Sequence, residues 1–345
     1  MTQTIAPPRP AAPPQTPEWK TALKPYARPD VRLSVLDLLT SVVPYVLGFV
    51  AMYLLLDVSY ALTLLAAIPT AGFLLRTYIV FHDCAHGNFL PTKRGNQVVG
   101  VLTALLVYTP FSAWRHSHAM HHASAGDLDR RGDGDVWTMT VAEWRAASRG
   151  KRLEYRLSRS PWVMMTIGPF VALVIQPRLW KATDRTRIKN SVKLTNLGVA
   201  AMVAVLCVVM GPVGFLAVQV PLVVLAGGAG IWLFFVQHQF EDAYWESTDD
   251  WDYAHAALRG SSYLKLPKVL QFFSGNIGLH HVHHLSAKVP NYHLQAAHDS
   301  SDIFREVPVL RLGCALRAMR LKLWCEEQRR LVTWAEAARP APAAG

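Results

Sequence analysis

The 345-residue chain is predicted to be an all-α integral membrane protein. Four transmembrane helices form two hairpins, extra re-entrant or interfacial helices join them, and a cytoplasmic helical cap holds a histidine-rich site. Three observations carry this expectation. Apolar residues make up 51% of the chain and charged residues only 17%, against about 25% charged in an ordinary soluble domain. Several apolar runs are long enough to cross a bilayer. Three histidine clusters at helical spacing follow or adjoin such runs.

The first run, Leu33 to Leu56, extends about 36 Å as a helix, enough for an apolar core of about 30 Å with some tilt. A short polar break at Asp57–Tyr60 leads into the second, Ala61 to Val80, with Arg76 near its interfacial end. Leu194 to Met210 is a third span, Gly211-Pro212 a tight turn, and Val213 to Val236 a fourth. Neither short turn contains Lys or Arg. Placing both turns outside therefore puts nearly all 35 Lys and Arg on the cytoplasmic side, as the positive-inside tendency requires. The net charge of +11 then reads as one basic membrane face, not as a nucleic-acid-binding surface.

Two shorter runs need a different reading. If Val98–Val107 crossed the membrane, the first two histidine clusters would face opposite sides, so a re-entrant or interfacial segment is expected. Trp162–Ile175, interrupted by Pro169, is read the same way, because six basic residues between Arg178 and Lys193 follow it. From Asp302 to Trp334, Arg and Lys alternate with Leu and Val as on a cytosolic helix packing on the catalytic region or the membrane surface. One domain is thus expected over 18–338, with spans at 33–56, 61–80, 194–210 and 213–236 and cytoplasmic regions 81–193 and 237–338. The Pro- and Ala-rich tails, 1–17 and 339–345, are expected to be disordered. No cleavable signal peptide is evident.

The clusters are His82-Asp83-Cys84-Ala85-His86, His118-Ala119-Met120-His121-His122, and His280-His281-Val282-His283-His284. Residues three and four apart share a helix face, and imidazole is the commonest metal-ligating side chain. His82, His86, His118, His121, His122, His280, His283 and His284 exceed the four ligands of one tetrahedral zinc and suit two ions of higher coordination number. His238, directly after the fourth span, enters at the level of His82 and is a ninth candidate. His116 and His281 fall off these faces, and His255, His293 and His298 read as surface or interface residues. Asp83, Asp127, Asp129 and Asp135 either orient imidazoles or are solvated loop charges. Trp114, Trp137, Trp232 and Trp251 read as interfacial anchors or core. Cys84 points away from the ligand face and reads as packing. The four cysteines form no CxxC pair, so no zinc ribbon or iron–sulfur site is encoded.

These motifs resemble the membrane fatty acid desaturases over roughly Leu33 to Leu294. The matching pieces are His82 to Gly87, Trp114 to His122, and Gly278-Leu279-His280 through Pro290-Asn291-Tyr292. The forms of the first two boxes, with Asp127 to Gly132 and Val136-Trp137-Thr138, are most similar to bacterial acyl-lipid omega-6 (Δ12) enzymes. The resemblance implies a non-haem centre of two Fe ions held by the nine histidines, with O2 as co-substrate and a membrane lipid acyl chain as substrate. Stearoyl-type relatives carry an asparagine one turn before the ninth histidine. Here Phe234 stands there, and Asn276 or Gln237 are the candidate substitutes. No haem, ferredoxin-like or GxGxxG module is present, so electrons are expected from a separate acidic ferredoxin or cytochrome b5-like donor, docking near Arg185, Arg187 and Lys189. A lipid hydroxylase or ketolase using the same site is the alternative. A non-catalytic metal transporter is remoter, because no histidine lies mid-span.

Overall fold

The computed structural model describes residues 16–132 and 134–339. The expected disordered tails therefore lie outside the described residues except at positions 16, 17 and 339. A short helix α1 (Thr16–Leu23) buries Trp19 and Leu23 against the chain's core. Helices α2 (Val31–Leu55) and α3 (Tyr60–His86) follow, joined by so short a link that they run antiparallel. Asp30 starts α2 by accepting the backbone N–H groups of Arg32 and Leu33, which would otherwise lack partners. The two helices pack tightly at Gly48, where a Cβ would lie 2.4 Å from Thr70 Oγ1. Helix α3 continues six residues past the expected span and stops at Gly87, whose φ of 74° gives the left-handed cap favoured by glycine.

Helices α4 (Lys93–Leu106) and α5 (Phe111–Ser124) meet at 101°. Pro110 precedes α5 and blocks a continuous helix. The corner is close-packed: a Cβ on Gly100 would come within 2.1 Å of the Phe111 ring. After the strand β1 (Met139–Thr140) come α6 (Val141–Ala146), α7 (Arg149–Ser158) and α8 (Pro161–Pro169), which runs on through a π-helical turn to residue 175. The α7 segment and the 161–178 segment are bent by 76°.

The long helical run α9 (Thr186–His238) is broken at Gly211, with φ 70° and ψ 151°. A straight helix of this length would be about 80 Å long. Instead both ends approach α5. Ser191 Oγ accepts the backbone N–H of Ser112 at 3.0 Å, and the His238 ring lies 4.7 Å from that of His121. The middle of the run sits at the α2–α3 turn, where Tyr53 donates to the Val209 carbonyl and Tyr60 to that of Ala217. The run is therefore a helical hairpin folded at the expected glycine–proline turn.

The bundle is apolar outside, and several polar side chains are buried among the apolar ones inside. Leu47, Leu65, Val208 and Val213 are 63%, 62%, 86% and 81% exposed. Ser34, Asp37, Ser41, Thr63, Thr70 and Thr77 are buried. A water-soluble protein shows the reverse, and such a belt suits hydrocarbon. Three helices are long and apolar enough to cross a membrane, or up to five if each bent pair counts as one span.

The remainder is short elements: α10 (Tyr253–Arg259), β2 (Tyr263–Lys265), α11 (Lys268–Phe273), α12 (His280–Leu285), α13 (Leu294–Asp299), β3 (Val309–Arg311), α14 (Leu312–Ala318), β4 (Leu323–Cys325), β5 (Arg330–Val332) and α15 (Trp334–Ala337). The sheet order is β1-β4-β5, with β1 parallel to β4 and β4 antiparallel to β5. Strand β2 pairs with β3 in parallel. The fold is mostly helical rather than all-α, and the single helix expected over Asp302–Trp334 is replaced by β3, α14, β4 and β5. Distant partners decide this. Met139–Thr140 supplies the hydrogen-bonding edge for Leu323–Trp324, and pairing outweighs local pattern where a strand is buried on both faces. Lys322 is buried and donates from Nζ to the carbonyls of Arg159 and Met319. Its pKa is pushed down to about 8 by burial and by the Arg159 charge.

Candidate metal centre

Helical spacing presents His82 and His86 from the end of α3, and His118, His121 and His122 from α5. The last residue of α9 is His238, and α12 adds His280, His283 and His284. The structure brings all nine together. Eight of them fall into two groups, His82, His86, His118 and His283, and His121, His238, His280 and His284. Within each group one nitrogen per ring lies within 4.8 Å of the others. His122 sits between them. Its ring stacks on His284 at 4.2 Å, and its Nε2 is 3.2 Å from that of His118.

The ring nitrogens divide their roles. His82 Nδ1 faces Asp83 Oδ1 at 3.0 Å, His121 Nδ1 faces Asp135 Oδ1 at 2.5 Å, and His238 Nδ1 faces the Gly260 carbonyl at 3.1 Å. Each partner accepts, so the proton sits on Nδ1 and the Nε2 lone pair points inward. Those Nε2 atoms converge on one another: His82 and His118 at 3.1 Å, His121 and His284 at 3.2 Å, His238 and His280 at 2.9 Å. The Nε2 atoms of His86 and His283 are buried with no hydrogen-bond partner. Converging lone pairs repel unless a cation sits among them. Ligands about 2.1 Å from one ion, at right angles, lie about 3.0 Å apart, which these spacings match. The residues thus fit two metal ions. Burial, and then the neighbouring imidazoles, hold the pKa values of His280, His283 and His284 well below the ordinary histidine range. These rings are therefore neutral, the form that ligates metal.

Aromatic rings wall the centre. Trp114 stacks on His118 at 4.3 Å, closer to the site than the interfacial or core role expected of it. Phe234 lies edge-on to His121 at 5.0 Å and to His238 at 5.4 Å. Neither candidate substitute for the missing asparagine faces the histidines. Gln237 donates to the Ile277 carbonyl and Asn276 to that of Asn291. Of the four aspartates singled out, Asp83 and Asp135 touch imidazoles. Asp127 is bound by Arg130 and Thr248, and Asp129 accepts from the Thr248 backbone. His116 is exposed. His281 is buried and pairs with His298 Nδ1 at 3.0 Å, outside both groups. Cys84 lies on α3 and is packed in the core.

The sequence reading did not single out Asp37, and it named Asn291 only as part of a motif, with no role. Asp37 is buried against Arg76, and Asn291 bonds both Asp37 and Asp83. A signal for the first existed: Asp37 and Arg76 are the lone charges of two consecutive apolar runs, and such charges usually pair.

A predominantly helical protein of membrane-spanning character, with a buried centre able to hold two metal ions in histidine, is the class these features define. Comparison with known proteins narrows it. Residues 58–309 match the family model of fatty acid desaturases. The chain is 45% identical over 310 residues to "Fatty acid desaturase" of Bacillus subtilis (strain 168), covering 90% of this chain and 88% of that one. It is 27% identical to "sn-1 oleoyl-lipid 12-desaturase" of Anabaena variabilis, over 76% of this chain and 74% of the relative. It is 26% identical to "Omega-6 fatty acid desaturase, chloroplastic" of Arabidopsis thaliana, over 76% of this chain and 58% of the relative. The chain belongs to the fatty acid desaturase family and is an enzyme of that kind.

Proposed function

We propose that this enzyme uses O2 to introduce a cis double bond into the acyl chain of a membrane lipid, at the omega-6 (Δ12) position. The position rests on the relatives at 26–27% identity whose names state it; the name of the 45% identical relative states none. The nine histidines would hold two iron ions, one through His82, His86, His118 and His283 and the other through His121, His238, His280 and His284, with His122 available to either group. The observation that carries this reading is the pair of adjoining four-histidine groups. Bound iron with O2 supplies the oxidising power that an unactivated methylene needs.

The chain's own residues set the conditions. Asp83, Asp135 and the Gly260 carbonyl fix three imidazoles in one tautomer. Trp114 and Phe234 present apolar surface to an acyl chain and keep water away. The protein crosses the membrane four times, with α2, α3 and the two arms of α9, while the bent α4–α5 and α7–α8 segments are re-entrant or interfacial. Both termini and the iron centre then face the cytoplasm. That placement leaves the basic surface around Arg185, Arg187 and Lys189 open to an acidic electron donor, a ferredoxin or cytochrome b5-like protein.

Expression in a host of known lipid composition, with mass-spectrometric location of double bonds, tests the proposal. New omega-6 dienes are expected. Unsaturation at another carbon would correct the position alone, and hydroxylated or keto products would replace desaturation by oxygen insertion. Charge-neutral replacement of Arg185, Arg187 and Lys189 is expected to slow donor-supported turnover; an unchanged rate would move the docking surface elsewhere.

A further inference from the structure

The Pro290-Asn291-Tyr292 segment carries no metal-ligating side chain of either group, yet it is built into the interior beside one of them. Asn291 is 1% exposed. Its backbone N–H donates to Asp83 Oδ2 at 2.7 Å. Its side-chain Nδ2 has two hydrogens, directed to Asp83 Oδ2 at 3.1 Å and to Asp37 Oδ2 at 2.8 Å. The other oxygen of Asp83 holds His82 Nδ1, and the other oxygen of Asp37 faces Arg76. Arg76 also donates to the Phe272 carbonyl and lies over the Phe272 ring. Neighbouring bonds fix the segment itself. Tyr292 meets Ser34 Oγ and receives the Asp30 backbone N–H, both at 3.0 Å, and Asn88 donates to the carbonyls of Ala287 and Val289.

A single polar chain therefore runs Arg76, Asp37, Asn291, Asp83, His82 through the interior. It contains two carboxylates and one guanidinium, and so carries one uncompensated negative charge. A buried charge without a partner is costly. A cation beyond His82 Nε2 would offset it. Among the described residues, the second histidine group has no such chain. Asp135 Oδ1 holds His121, but its Oδ2 is buried without a hydrogen-bond partner.

We propose that Arg76, Asp37 and Asn291 act through Asp83 as positioning residues for one metal only, the one in the group of His82, His86, His118 and His283. They hold the Asp83 carboxylate in place, and through it they lock the His82 ring. The inference rests on the two-iron reading above.

The test uses the full-length protein in detergent, loaded with iron, with iron per chain and Mössbauer spectra as readouts. The wild type is expected to hold two irons; a wild type that holds none overturns the two-iron reading itself. In Asn291→Leu, iron falls towards one per chain, one spectral component disappears, and the lost metal leaves to a chelator about 10–100-fold faster, the range for loss of a ligand's supporting partner. Asp37→Asn, which keeps size and shape, loses the same component to a smaller degree. Asp135→Asn, the control, loses the other component. Retention of both irons with wild-type chelator resistance in Asn291→Leu and Asp37→Asn would overturn the inference, and so would equal loss of both components. Should Asn291→Leu fail to give a monodisperse protein, Asp37→Asn decides by the same criterion.

Discussion

The two histidine groups are similar in donor set and different in support. The first hangs on the helical hairpin: His82 and His86 share one face of α3, and the brace of His82, Asp83, is tied into the buried polar chain ending at Arg76. The second, drawn from α5, α9 and α12, is braced by loop segments. Its brace Asp135 lies on the loop after α5, and His238 is held by a backbone carbonyl at Gly260. That loop reaches the site because residue 134 is glycine. Its φ is 84°, and a Cβ there would lie 2.7 Å from the Ser117 carbonyl and 3.1 Å from His121 Cβ. Asp127 then clamps the loop, accepting from the Asp129 and Arg130 backbone, the Arg130 side chain and Thr248. One group depends on a rigid bundle interior, the other on how loops are tied.

The largest effects break either group directly. His283→Ala and His121→Ala are both expected to abolish product, measured as new unsaturated acyl chains, while each removes a different Mössbauer component. Product retained in either variant would remove that histidine from the ligand set. Next comes the bundle brace. Asp37→Leu leaves Arg76 buried without its carboxylate, which costs about 3–5 kcal/mol and lowers the thermal unfolding midpoint in detergent. An unchanged midpoint would mean that water reaches Arg76.

The loop brace is expected to be milder on stability and more selective for metal. Asp135→Asn weakens iron binding about 10–100-fold, and Gly134→Ala does the same by displacing Asp135. Chelator competition checks both, and a Gly134→Ala protein with normal affinity would show that the loop can yield. The smallest effect lies far from either group. The Glu336 carboxylate accepts from the backbone and hydroxyl of Thr333 and from Arg330, and these bonds lower its pKa to about 2. A lowered carboxyl pKa stabilises the fold above the ordinary value of 4.5, and that contribution is lost as pH falls towards 2. Glu336→Gln should flatten the change in Trp334 emission over that window while leaving turnover at neutral pH intact.

Much of this was legible in the chain. The apolar runs gave the helices because burial in hydrocarbon needs length and composition alone. The expected span ends at Leu56, Met210 and Val236 fall within two residues of helix ends or breaks at Leu55, Gly211 and His238. The histidines were legible because ligand spacing on one helix is a local property. The segment after Asp302 was misread because its strands exist only through partners at 139–140 and 263–265, which no local periodicity announces. The bonding role of Asn291, a residue of the third matching motif, was not legible for the same reason: its partners are Asp37 and Asp83, more than two hundred positions away.

The sequence by itself determined that nine imidazoles lie at one level of an apolar helical chain, since helix period and run length are short-range facts. Only the tertiary structure decided how eight of those nine divide into two groups with His122 between them, which aspartates brace them, and that Phe234 and Trp114 form their walls. Those are contacts between elements, fixed by packing and by the need to pair every buried polar group.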